Sequence, residues 1–127
     1  MRILIADDEP RVRSALRLLL RQESDTSEIY EAGDGETMMR CAAKRHLDLV
    51  ILDWNLPKTG GYTALKALRA AQPDVAIIVL NSRSETRHAA LATGADAFVS
   101  KADPPERLLA TIAMLDKRSS DLVERRS

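Results

Sequence analysis

With 127 residues, 45% of them apolar, the chain has the size and composition of one domain folded around a substantial core. Its 19 lysines and arginines balance 19 aspartates and glutamates, so no global field favours nucleic acid, a membrane surface or an acidic ligand. Cys41 is the only cysteine, which excludes an internal disulfide. No apolar run approaches the roughly 20 residues of a membrane span, and the start MRILIADDEP turns acidic too early for a signal peptide, so the expected location is the cytoplasm.

Five short apolar segments favour strands and are too short for helices. ILIA at 3 to 6 leads through DDE to Pro10, which suits a first helical turn, and Val12, Leu16 and Leu19 share one face of the helix that follows. After EIYEA at 28 to 32, DGE at 34 to 36 opens a second helix with Met38, Cys41 and Ala42 aligned. LVIL at 49 to 52 is the third strand, and Leu65 and Leu68 mark the next helical face. AIIVL at 76 to 80 is the fourth strand, followed by a helix with Ala89 and Ala92 on its inner face. AFVS at 97 to 100 is the fifth. DPPE at 103 to 106 then offers Asp103 as N-cap, Pro104 as first helical residue and Glu106 to close a capping box, for a helix carrying Leu108, Ile112 and Leu115.

Five alternations of strand and helix predict an α/β fold: parallel strands joined by right-handed crossovers, with helices on both faces. Continuous apolarity in strands 1, 3 and 4 fits burial on both sides. The compact unit is expected over 1–116. The polar segment 117–127, KRSSDLVERRS, is expected to extend the last helix or to serve as a linker or tail.

In such sheets ligands bind beyond the carboxyl ends of the strands, where the strand order switches direction. Those ends carry Asp7, Asp8 and Glu9 after strand 1, Asp53 after strand 3, Asn81 and Ser82 after strand 4, and Ser100 and Lys101 after strand 5; strand 2 ends in the less distinctive Glu31 and Ala32. Neighbouring carboxylates raise one another's pKa unless a counter-charge intervenes. A hard cation resolves this, and Mg²⁺ suits a site with few carboxylates and several retained waters. The cation would also draw in a phosphoryl donor, making an aspartate oxygen a nucleophile, with Lys101 as a point charge for the phosphoryl oxygens.

IADDEP, LDWNLPKTGGY, VLNS and GADAFVSK, in this order and spacing, resemble the receiver domain of two-component response regulators over residues 2 to 116. The resemblance implies a flavodoxin-like, doubly wound, five-stranded parallel sheet of order 2-1-3-4-5. It implies Asp53 as phospho-acceptor from a sensor histidine kinase, a phosphotransfer protein or a small acyl phosphate. Mg²⁺ would be held by Asp8 directly, by Asp7 chiefly through water, by Asp53 and by the backbone carbonyl of Asn55. Pro57 and Gly61 fit the turn after the acceptor, Lys101 pairs with the phosphoryl group, and Phe98 matches the aromatic switch of the surface made by helix 4, strand 5 and helix 5. Homodimerisation through that surface is a further implication. No membrane partner is expected, and nucleic acid only through an output domain outside this chain.

Two departures stand out. Asn81 occupies the place of the family's threonine or serine, with Ser82 as runner-up if the strand runs one residue longer, and the stretch from Asn81 to Gly94 is about two residues short, predicting a truncated or displaced helix 4. Ala102 replaces a common proline, and SKAD looks like the variant in receivers joined to helix-turn-helix output domains. The leading function is therefore a phosphorylation-controlled signalling domain and not a turnover enzyme. A receiver-like interaction module without switching is the alternative, and a Mg²⁺-dependent aspartyl-phosphate phosphatase is disfavoured by Asn55, where acid/base work would want a carboxylate. Trp54 is expected beside the site, and His46 and His88 are expected in solvent.

Overall fold

The computed structural model describes residues 1–23 and 28–126, the side chains of 117–126 excepted. Its elements are β1 (Arg2–Ala6), α1 (Pro10–Arg21), β2 (Glu28–Ala32), α2 (Gly35–Lys44), β3 (Leu49–Asp53), α3 (Gly61–Ala71), β4 (Ala76–Asn81), α4 (Arg87–Thr93), β5 (Ala97–Ser100) and α5 (Pro105–Arg126), with a 3-10 turn at Ser84–Thr86 before α4. The five strands pair in parallel in the order β2-β1-β3-β4-β5. This is the expected flavodoxin-like sheet, and the strand bounds agree with the sequence reading to within a residue.

Alternating strand side chains feed two cores. Leu4, Val50, Leu52, Ile77, Val79 and Phe98 pack with Met38 of α2, Leu65 and Leu68 of α3 and Ala90 of α4. On the other face Ile3, Ile5, Ile51, Ile78, Leu80 and Val99 meet Leu16 and Leu20 of α1 and Leu108 and Leu115 of α5. Burying each large aliphatic side chain stabilises by roughly 1.5–3 kcal/mol, so the central strands anchor whatever stands at their ends. All five residues of β3 are buried, and Asp53 is the only charged one.

Two local expectations are corrected. Because the 3-10 turn precedes it, α4 is only 7 residues long, and it buries Ala90 while Ala89 and Ala92 face solvent. The last helix begins at Pro105, not Pro104, because the Asp103 carboxylate turns back to accept the Ser100 N–H at 3.1 Å and closes the preceding turn. The shortened α4 agrees with the two-residue deficit in the sequence. Its C-terminal end is held by Arg69 of α3, whose guanidinium donates to the carbonyls of Gly94 (2.8 Å) and Val75 (2.6 Å) and to the Asp96 carboxylate (2.8 Å). Of the alternatives for 117–127, extension of the last helix is the one seen: α5 continues in backbone through Arg126, while the side chains of 117–126 and Ser127 lie outside the described residues.

Candidate functional site: an acidic cluster at the carboxyl edge of the sheet

Register brings the chemistry together. Ala6 pairs with Leu52 and Asp53 with Leu80, so Asp7 and Asp53 leave adjacent strands at neighbouring levels. By alternation both follow the isoleucines of the α1–α5 face, as Lys101 follows Val99. Asp7 and Asp53 are only 2% and 4% exposed. Carboxylate oxygens of Asp7, Asp8 and Asp53 lie within 4.8 Å of one another, Asp8 on the solvent side.

Backbone donors orient the two buried carboxylates. Asp7 Oδ1 accepts the N–H of Glu9 at 2.9 Å, and Asp53 Oδ1 accepts that of Asn55 at 3.1 Å. Their Oδ2 atoms face Lys101 Nζ, at 2.9 Å from Asp7 and 3.5 Å from Asp53. The Asp7 contact has the distance of an ion pair but not the angle of a hydrogen bond, and it leaves Oδ2 buried without a hydrogen-bond donor. An under-satisfied buried carboxylate oxygen beside two more carboxylates is what a hard cation fits. Burial pushes the Asp53 carboxyl above its ordinary 3.8 and the Asp7 charge reinforces this, against the Asn55 N–H and Lys101. Burial alone would lower the Lys101 ammonium, but Asp7, Asp53 and Glu9 outweigh it and hold its pKa above 10.5.

Asn81 ends β4 fully buried, while Ser82 is exposed beyond the strand, so of the two candidates Asn81 is the terminal strand residue. It follows Ile77 and Val79 onto the opposite face from Asp53, the face of Phe98, which pairs with Val79 and is buried. Trp54 is half-buried and packs on that core, and His46 and His88 are exposed. Asn55 is exposed, directly after Trp54, in the turn that Pro57 continues. Gly61 has to lack a Cβ, which would overlap the Trp54 carbonyl and stand 2.7 Å from its ring.

Two supporting residues escaped the sequence reading. Arg13 donates to the Asp7 carbonyl at 2.6 Å while its Nε holds Glu31 at 3.0 Å, tying the acidic loop to β2. Lys58 sits at φ 74, a conformation side chains disfavour, with Nζ 3.4 Å from Asp34, the cap of α2. Neither has a sequence signal, since a guanidinium reaching back to a carbonyl follows no fixed spacing.

The profile of the family described as response regulator receiver domain matches residues 3–113. The fimbriae Z protein of Salmonella typhimurium strain LT2 is 37% identical over 101 residues, 78% of this chain and 48% of that protein. The uncharacterized transcriptional regulatory protein YhcZ of Bacillus subtilis strain 168 is 37% identical over 113 residues, 87% of this chain and 53% of that protein. The chain thus spans about half the length of the curated relatives it matches. Among solved structures, response regulator protein TrrA from Thermotoga maritima in complex with Mg(2+)-BeF superposes with a TM-score of 0.82 at 32% identity, over 90% of this chain and 97% of that one. With the profile running from β1 into α5 and the strand ends furnished as described, the chain belongs to the response regulator receiver domain family.

Proposed function

We propose that this domain accepts a phosphoryl group on Asp53 in a Mg²⁺-dependent reaction and relays its phosphorylation state through the surface of α4, β5 and α5. The carrying observation is the convergence of Asp7, Asp53 and Lys101 within 3.5 Å contacts, with Asp8 beside them in solvent. Asp7, Asp8, Asp53 and the Asn55 carbonyl would hold the ion. When bound, Mg²⁺ neutralises charge on an incoming phosphoryl group and draws its oxygens toward the carboxylates.

Asp53 acts as the nucleophile. Its Oδ1 is fixed by the Asn55 N–H, which orients the carboxylate. A carboxylate oxygen bonds to phosphorus as the bond from phosphorus to the donor breaks, and the donor keeps that electron pair. The donor is the phosphohistidine of a sensor kinase or phosphotransfer protein, whose imidazole then takes a proton from solvent, or a small acyl phosphate. Lys101 opposes the negative charge that accumulates at the phosphoryl oxygens. The raised pKa of Asp53 makes its ionised carboxylate a better nucleophile than that of an ordinary aspartate. Hydrolysis by water returns the carboxylate, so the group is a signal and not a product of turnover.

Phe98, buried beneath this surface, is assigned as the switch aromatic, and Asn81 as the residue between it and the acceptor. Exposed Leu91 of α4 and Met114 of α5 mark the same surface as the site for an output partner or a second copy. Residues 1–116 are assigned as the receiver unit, with 117–127 leading away from it, and one free cysteine suits a cytoplasmic setting. A role in transcription, as in the name of YhcZ, would reside in an output domain beyond these residues.

Intact mass after incubation with an acyl phosphate and Mg²⁺ tests the reaction. One phosphoryl group per chain is expected, lost completely in Asp53→Asn; no addition to the wild type would leave an interaction module, to which Asn81 and the 7-residue α4 already point as the second function. Continuous release of phosphate would indicate a phosphatase.

A further inference from the structure

Lys101 is rooted at a corner of the sheet. β5 is the last strand in the order and has four residues, and Lys101 is the first residue beyond it. Its N–H donates to the Asn81 carbonyl at 2.9 Å, the last rung toward β4. The Asn81 side chain is turned elsewhere, with Oδ1 accepting the Arg83 N–H at 2.7 Å and Nδ2 buried without a partner. Successive residues of a strand direct their backbone groups to opposite sides, so Ser100 points its N–H and carbonyl off the open edge. Asp103 takes both: its Oδ2 accepts the Ser100 N–H at 3.1 Å, and its own N–H donates to the Ser100 carbonyl at 3.0 Å. Ser100 Oγ in turn accepts the Ala102 N–H at 3.1 Å. Asp103 thus serves Ser100 as a further strand one residue long, and Pro104 after it restricts its backbone to extended conformations.

Resting on the receiver function proposed above, we infer that Ser100 and Asp103 are positioning residues for Lys101: they hold the end of β5 closed and so fix the root from which the ammonium reaches a phosphoryl group on Asp53. A lysine arm is long and flexible, and its head is placed no better than its root. Nζ lies unevenly between its partners, 2.9 Å from Asp7 Oδ2 and 3.5 Å from Asp53 Oδ2, so a shift of the root changes which carboxylate it favours. An unbraced strand end frays first, because its open-edge groups exchange partners with water. None of the residues assigned to Mg²⁺ hangs from this turn, since Asp7 and Asp8 follow β1 while Asp53 and Asn55 stand at the end of β3. The brace therefore acts on the phosphoryl group and not on the ion. Charge alone gives the opposite sign: removing a carboxylate near the site favours an anionic group, whereas removing the brace disfavours it.

Beryllofluoride, titrated into the full chain at saturating Mg²⁺ and followed by Trp54 fluorescence, is the phosphoryl probe, and Mg²⁺ alone is the control. Asp103→Ala and Ser100→Ala each delete one accepting atom and should weaken beryllofluoride binding about fivefold, the usual worth of one hydrogen bond, with Mg²⁺ affinity unchanged to within about twofold. Asp103→Asn keeps an acceptor without the charge and should restore wild-type binding. In a Lys101→Met background Asp103→Ala should add nothing, because the arm it steadies is gone. Beryllofluoride affinity in Asp103→Ala equal to or above that of the wild type overturns the brace. An equal loss for Mg²⁺ and beryllofluoride overturns it too, as does a loss that persists undiminished in Lys101→Met. A wild type that responds to neither Mg²⁺ nor beryllofluoride would instead sink the receiver function, and the brace with it.

Discussion

Around the ends of β1, β3 and β5, two buried carboxylates share one ammonium, whereas at the end of β4 a neutral amide sits half satisfied. The first region is governed by charge: removing the ammonium leaves two buried carboxylates without a counter-charge, whereas neutralising one carboxylate relieves the other. The second is governed by one hydrogen bond and by the length of a loop, both of which can vary at modest cost. Under the proposed function, receiving a phosphoryl group and responding to it would be built from different physics, and the chain keeps the family's residue types in one region while departing from them at Asn81 in the other.

The sharpest way to break the charged region is Lys101→Met. With the ammonium gone, Asp7 and Asp53 face each other across the site, and a loss of about 2 kcal/mol is expected at neutral pH, discounted for the partial exposure of Lys101. Urea melts should show it, and Mg²⁺ should restore part of it. A loss no larger than that of a surface lysine would mean the carboxylates are already compensated by other means. Asp8→Ala comes next: it removes the solvent-side carboxylate of the cluster and should weaken Mg²⁺ binding by about tenfold, read in Trp54 fluorescence, with little change in melting temperature without metal.

The pH dependence has a fixed sign. Since the folded pKa of Asp53 lies above 3.8, the folded state binds a proton more readily than the unfolded one, so this group's contribution to stability falls as pH rises from 3.8 through the folded pKa and stays lost above it. Asp53→Asn should therefore melt higher than the wild type at neutral pH without divalent ions, and the difference should vanish below pH 3.8. A wild type that melts higher than the variant at neutral pH would reverse the assignment. The smallest effect is expected at Lys58→Gly, which relieves the positive φ but adds freedom to the unfolded chain; a net gain below about 1 kcal/mol in thermal melts is expected, with phosphoryl transfer unchanged.

The sheet was legible because its central strands β1, β3 and β4, buried on both faces, are written as unbroken apolar runs, and each of the five strands begins and ends within a residue of the segment read from the sequence. The acidic cluster was legible for a related reason: Asp7, Asp8, Asp53 and Lys101 each interrupt or follow such a run at its carboxyl end. Features set by neighbours distant in sequence were not. Asp103 has the residue type and position of an N-cap, yet the Ser100 N–H is the nearer partner. The two alanines expected on the inner face of α4, Ala89 and Ala92, lie outside because a 3-10 turn shifts the phase of a helix too short to average it out, and Ala90 is inside instead. The Arg13 contact to the Asp7 carbonyl and the Gly61 approach to Trp54 depend on backbone positions that no local pattern encodes.

Arg69 gives α4 its mechanical character. The helix is about 10 Å long at 1.5 Å per residue, and the guanidinium pins its last carbonyl turn to α3 and to the start of β4, while its first turn rests on an exposed loop. A short rod fastened at one end has a fulcrum. A displacement of the Arg83 end by an ångström becomes a tilt about Gly94, largest at Arg87 and nearly nil at Thr93. Under the proposed function, the amino-terminal half of α4 would be the part of the surface able to carry a message, and a partner gripping the other end would hear nothing.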